Sequence, residues 1–114
     1  MAGPPRVICA GADLRDGGRG VRFEIARDGR AVQAFAVRCG GLARAYVNRC
    51  THVAVELDWQ PGVFYDAAGL YLLCSMHGAS YDAATGACVG GPCRGRGLEP
   101  LAVREEDGRI LLEE

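Results

Sequence analysis

The feature that most limits what this chain can become is how often glycine interrupts it. There are 17 Gly in 114 residues, so apolar runs stay short and most end at Gly or Asp-Gly. Residues 7–10 stop at Gly11. Residues 21–26 alternate as Val, Arg, Phe, Glu, Ile, the period-2 pattern of a half-buried strand. Asp28-Gly29 is a hairpin turn signal, and residues 34–39 read as the returning strand. Gly40-Gly41 makes the next turn and residues 42–48 another strand. The first 48 residues therefore predict an antiparallel meander.

Residues 49–62 are irregular, with room for a helical turn or two near 53–57. Residues 63–65 and 70–73 bracket Asp66-Ala67-Ala68-Gly69, a second hairpin. Residues 77–98 have the Gly-rich composition of loops, with one short strand near 87–89. The end predicts a last hairpin, 101–104 and 109–112, around a turn at 105–108. Short strands with Gly-rich turns imply an all-β sandwich or barrel. With no repeat and no linker, residues 1–114 read as a single domain.

Charge is nearly balanced, 13 basic residues against 14 acidic, which argues against nucleic-acid or anionic-membrane binding. Every basic residue other than His is Arg. Residues 1–7 carry no apolar run and no secretory signal, and no stretch approaches the ~20 apolar residues that span a bilayer. The chain as given reads as soluble and cytoplasmic. In a reducing cytoplasm its six cysteines are metal ligands or buried thiols before they are disulfides.

The chemistry sits in two short motifs, Cys50-Thr51-His52 and Cys74-Ser75-Met76-His77. The segment between them contains the second hairpin, which returns the chain to where it left and lets both loops meet. Two Cys and two His are a complete ligand set for one Zn²⁺ or for a [2Fe–2S] cluster of mixed ligation. Structural zinc sites prefer both sulfurs on one knuckle and both histidines on another element. Here each loop offers one thiolate and one imidazole, which suits two adjacent irons. A structural zinc protein remains the alternative.

The residues that follow extend the pattern: His77-Gly78-Ala79-Ser80-Tyr81-Asp82, then Thr85-Gly86, then Gly90-Gly91-Pro92. Together with the two motifs they resemble the signature of the Rieske [2Fe–2S] proteins, over about residues 49–97, and bacterial Rieske ferredoxins in particular. The resemblance implies an antiparallel β-sandwich bearing a small cluster-binding subdomain, built from two ligand loops and a Gly-Pro cover loop. It implies one [2Fe–2S] cluster per chain, with Cys50 and Cys74 on the inner iron and His52 and His77 on the outer iron, close to solvent. Gly78 would let backbone pass near the cluster, backbone N–H groups would donate to its sulfurs, and Gly90-Gly91-Pro92 would lie over it as a stiff cover. Gly86 is more simply a turn residue.

The resemblance also bears on potential. Rieske centres span roughly −150 to +300 mV. High-potential members carry an extra Cys in each ligand loop, forming a disulfide; those positions here are Val55 and Met76. They also carry a Ser donor where this chain has Ala79, and a Tyr where it has Tyr81. Two features of three are absent, which points to roughly −150 to +100 mV within the family range.

Among the remaining residues, Cys88 and Cys93 flank the cover loop and are expected as thiols. Cys9 and Cys39 read as buried apolar residues in strands, and Trp59 as core. Glu56 and Asp58 read as solvated surface charges. Arg49, Arg94 and Arg96 lie beside the ligand and cover loops and suit an acidic docking partner as well as they suit plain solvation. Only two His are present, and the cluster takes both. A Rieske oxygenase needs a further iron site of two His and a carboxylate, so this chain is not a complete oxygenase. The expected function is one-electron transfer to a redox partner protein, as a ferredoxin-like carrier for an oxygenase or reductase. The alternative is an accessory Rieske subunit of a larger enzyme, resembling the small subunit of assimilatory nitrite reductase, or less simply a redox sensor.

Overall fold

Strand β3 organises the molecule because it is buried on both faces. The computed structural model describes residues 6–49, 56–58, 60–74, 78–91 and 97–113. Along β3 (Arg30–Cys39), Ala34 and Ala36 face one core while Phe35 and Val37 face another. Such alternation is what a period-2 strand between two layers requires.

β3 pairs antiparallel with β2 (Val21–Arg27) on one side and β4 (Leu42–Val47) on the other; β8 (Pro100–Leu101) completes this sheet beside β4. A second sheet has the order β1 (Arg6–Ala10), β10 (Arg109–Leu112), β9 (Val103–Glu106). The first core packs Ala34, Ala36 and Ala45 with Phe23, Ile25, Leu14, Ile110 and Leu112. A third sheet, β5 (Tyr71–Leu73), β6 (Ser80–Asp82), β7 (Cys88–Gly90), contributes to the second core. There Phe35 stacks on Phe64 at 4.0 Å between ring centroids, beside Tyr46, Leu57, Tyr65, Leu72, Cys74 and Tyr81. The architecture is all-β with antiparallel strand pairing; a 3-10 turn at Gly11–Asp13 is the one helical element among the described residues. No helix of the described residues is long and apolar enough to cross a membrane.

The turn signals hold where they were strongest. Asp28 and Gly29 have φ of 52° and 74°, and Gly40 and Gly41 have 59° and 82°. Both central residues at positive φ is the two-residue turn whose twist matches the flanking strands. Asp107 and Gly108 repeat it, so the last turn is two residues rather than four and β9 runs to Glu106. β3 begins at Arg30, four residues before the expected 34, because the tight turn puts Arg27 directly opposite Arg30. In the second hairpin the first arm reduces to a single bridge, Tyr65 to Leu72. The stretch read as loop after residue 77 holds two strands, β6 and β7, not one.

Arg38 ties sheets together at their edge. Its Nε donates to Leu14 O (2.8 Å), Nη2 to Gly11 O (2.8 Å), and Nη1 to Gly41 O (3.0 Å) and Glu105 Oε1 (2.9 Å). The hydrogen bond from Arg38 holds the Glu105 carboxyl below its ordinary range. A depressed folded-state pKa stabilises the fold above the unfolded pKa, and that contribution is lost as pH falls through the folded value. Urea unfolding of wild type and Glu105→Gln should therefore differ at neutral pH and converge below pH of about 4; a gap that stays constant with pH would contradict it.

Candidate metal centre

The second expected ligand loop grows from the β5–β6 hairpin. Leu73 N–H donates to Phe64 O (2.7 Å), closing β5 onto the strand arm before it. Cys74 N–H then donates to Ala79 O (2.8 Å), and Gly78 N–H to Cys74 O (2.9 Å). These bonds pinch the chain at 74 and 78–79, with residues 75–77 between. Gly78 takes a φ of 73°, which glycine adopts without strain.

Cys74 itself is fully buried, in the core that also holds Leu57, Phe64, Leu72 and Tyr81. Tyr81 lies on β6 between Leu72 of β5 and Cys88 of β7, and it too is fully buried. Ala79 is buried and has no hydroxyl, so its side chain donates no hydrogen bond.

The cover loop begins against this loop. β7 pairs Gly90 with Ser80, which brings the next residue, Gly91, onto the backbone of Gly78 and Ala79. A Cβ on Gly91 would stand 2.6 Å from Gly78 O and 2.9 Å from Ala79 Cα, and Gly91 has a φ of 79°. Gly86 is the turn residue it was read as, with a φ of 79°, and it has a packing role besides: its Cβ would stand 2.8 Å from the Tyr46 ring. The turn before it is organised by Asp82, whose Oδ1 accepts from Ala84 N–H and Thr85 N–H at 2.7 and 3.1 Å.

The first loop leaves the end of β4. Asn48 N–H donates to Gln33 O (2.8 Å), and Asn48 Oδ1 accepts from Leu57 N–H (2.9 Å). Asn48 Nδ2 donates to Asp58 Oδ1 (2.9 Å), and Asp58 Oδ2 accepts from Gly62 N–H (2.9 Å) with Arg22 Nε 3.4 Å away. The Asp58 side chain has no solvent exposure. The reading of Asp58 as a surface charge is therefore wrong: it is a buried acceptor hub that pins both ends of the segment containing Cys50 and His52. Buried carboxylates persist where several donors satisfy them. The signal available in the sequence was Asp58 before the Pro61-Gly62 turn, a position where an Asp side chain caps backbone N–H groups. Glu56 is surface-exposed as expected, paired to Arg22 at 2.6 Å.

Of the four expected ligands, Cys74 lies among the described residues; Cys50, His52 and His77 lie outside them. Pro92, Cys93, Arg94, Arg96, Trp59, Val55, Met76 and most of the 53–57 turn are outside as well. Arg49 is exposed. Cys9 and Cys39 are free and half-buried, each against one of the two cores. Burial pushes the Cys9 thiol up to about 11, consistent with a packed thiol rather than a reactive one. Cys88 is in a disulfide whose partner lies outside the described residues, contrary to the thiol expected from compartment alone.

What the described residues offer fits an iron–sulfur cluster. A buried thiol with apolar neighbours stands at the mouth of a narrow hairpin loop. A thiolate there would be costly alone and is stabilised by a metal.

The chain belongs to the Rieske [2Fe-2S] domain family, whose model matches residues 5–106. The family implies a [2Fe–2S] cluster and electron transfer. No curated protein matches the sequence. Solved structures do match over nearly the whole chain. The Sphingomonas yanoikuyae B1 ferredoxin is 25% identical with a TM-score of 0.74, covering 97% of this chain and 99% of that one. The ferredoxin of carbazole 1,9a-dioxygenase from Nocardioides aromaticivorans IC177 is 24% identical with a TM-score of 0.72, covering 96% and 97%. A chain in the complex of reduced oxygenase and oxidized ferredoxin of carbazole 1,9a-dioxygenase is 23% identical with a TM-score of 0.72, covering 95% and 91%.

Proposed function

We propose that this chain holds one [2Fe–2S] cluster on Cys50, His52, Cys74 and His77 and works as a ferredoxin-like one-electron carrier for an oxygenase. The observation that carries the reading is the buried Cys74, hydrogen-bonded through its backbone to Gly78 and Ala79, in a fold matched end to end by a ferredoxin. When bound, the cluster supplies one reversible electron. The chain's own residues do the rest. Cys74 and Cys50 anchor the cluster from the core side, and His52 and His77 face the redox partner. The stretch 49–97 forms the cluster-binding part of a single domain, in the cytoplasm. Asp58 and Asn48 hold the first loop; the Gly91 approach seats the cover on the second.

Related ferredoxins form complexes with oxygenases, which supports an oxygenase as the partner class here. The test is direct electron transfer. Reduced protein is mixed anaerobically with an oxidised Rieske oxygenase and reoxidation is followed in the visible spectrum. Saturable reoxidation supports the carrier reading. Reoxidation by small oxidants only, with no oxygenase accepting electrons, contradicts it.

The cluster's potential falls at roughly −150 to +100 mV on this reading. On this reading Tyr81, buried in the core that holds Cys74, raises it by donating a hydrogen bond toward the cluster's sulfur ligands. Tyr81→Phe should lower the potential in a spectroelectrochemical titration. An unchanged potential makes Tyr81 a packing residue alone.

A further inference from the structure

The disulfide at Cys88 has no part in one-electron transfer. Cys88 is on β7 and is half of that bond. Cys9, Cys39 and Cys74 are free, so its partner is Cys50 or Cys93. On the reading proposed above Cys50 holds iron, which leaves Cys93, five residues along the chain.

The position of Cys88 connects the bond to the second ligand loop. Its neighbour across the sheet is Tyr81, and it packs against the core that holds Cys74, Ala79 and Tyr81. Its sulfur stands 3.7 Å from Gly90 O. Gly90 pairs with Ser80, and Gly91 lies against the backbone of Gly78 and Ala79. A bond from Cys88 to Cys93 closes a short ring of chain that includes this contact, and a cross-link removes conformations in which the contact is lost. Two features favour exchange at this bond over an inert staple. Among the described residues β7 is an outer strand of its sheet, and Cys88 is only half-buried, which leaves an approach for an attacking thiolate. The compartment read for the chain is a reducing cytoplasm, where disulfides are mostly transient or redox-sensing.

We propose that Cys88 and Cys93 form a thiol-exchange site for a dithiol reductant, and that opening the bond loosens the grip of the second ligand loop on its metal. The assignment of Cys93 rests on the cluster reading above. A thiolate of the dithiol attacks one sulfur of the bond, and the other sulfur leaves as a thiolate and takes a proton. The second thiol of the dithiol then attacks the mixed disulfide and releases the second cysteine. The products are two cysteine thiols and one oxidised dithiol. The dithiol supplies both electrons and both protons, so no electron from the metal centre is needed. With the bond open, Gly91 is held on Gly78 and Ala79 by local contacts and the Gly90–Ser80 pairing alone.

The test uses the intact holoprotein, prepared anaerobically and without added thiols. Iodoacetamide labelling and peptide mapping, before and after dithiothreitol, locate the bond and report its opening. It should map to Cys88 and Cys93 and open in the native protein. Bleaching of the visible spectrum by excess EDTA reports the effect on the metal. Dithiothreitol should speed bleaching of wild type by about tenfold or more, the scale of a lost cross-link. Cys88→Ser should bleach at the faster rate from the start and gain nothing from dithiothreitol, which also controls for direct attack of the reagent on the metal. Wild type with and without dithiothreitol carries the comparison should Cys88→Ser fold poorly. A bond to Cys50, a bond that stays closed in the native protein, or bleaching unchanged once the bond is open would each overturn the proposal. A chain without iron would instead contradict the cluster reading, and the mapping would still decide which cysteines are bonded and whether the dithiol opens them.

Discussion

Gly91→Ala should destabilise the holoprotein by roughly 2–5 kcal/mol and strip much of its iron, although it adds one methyl group. Two costs add. An L-residue held at positive φ loses about 1–2 kcal/mol. The new Cβ would also stand 2.6 Å from Gly78 O and 2.9 Å from Ala79 Cα, and those are backbone atoms that cannot rotate aside. Relief means lifting the cover away from the Cys74–His77 loop or reshaping that loop. For a small domain with 5–15 kcal/mol of stability this is a large fraction. Gly29→Ala is the control, since it has φ of 74° and nothing described within 4 Å of its Cβ. It carries the backbone strain without the collision, so it should cost about 1–2 kcal/mol and leave iron content unchanged. Urea unfolding and iron analysis on both variants give the comparison. Equal costs would show that the cover does not rest on the second loop.

Asp58→Ala should cost roughly 2–4 kcal/mol, again with loss of iron, for a different reason. It strands two buried donors at once, Asn48 Nδ2 and Gly62 N–H, and frees both ends of the segment carrying Cys50 and His52. Arg22, its third neighbour, has a side chain about a third exposed and paired to Glu56. Its Nε is enclosed 3.4 Å from Asp58 Oδ2 but makes no hydrogen bond there, so little is lost with the guanidinium and Arg22→Gln should cost well under about 1 kcal/mol. Denaturant titrations of Asp58→Ala and Arg22→Gln separate the hub from its rim. A large Arg22→Gln effect with a small Asp58→Ala effect would mean that the ion pair, not the amide network, organises this loop.

These two positions also show what could and could not be read from the chain. Asp28-Gly29, Gly40-Gly41 and Asp107-Gly108 announced hairpins because two successive residues at positive φ are a demand few residue types meet. The strand alternation at residues 21–26 was equally legible, because one face is core and the other is not. β6 was not, because Ser80–Asp82 is too short for a period of two to register and is flanked by loop residues. Asp58 was misread because burial is a property of its partners. Asn48 is ten residues away and Arg22 much further, across a sheet. The family was legible in the cysteine and histidine motifs, because their chemistry is rare and their spacing local. The bond at Cys88 was not, since nothing local distinguishes a thiol from a half-cystine.

The central claim is the cluster, and one sample tests it: protein purified anaerobically, assayed for metal, reduced with dithionite and frozen for electron paramagnetic resonance. The account predicts a red-brown protein with about two irons and two acid-labile sulfides per chain and the low-average-g signal of a mixed Cys/His cluster, lost in Cys74→Ala. A colourless protein holding a single zinc per chain, with no signal on reduction, would contradict it.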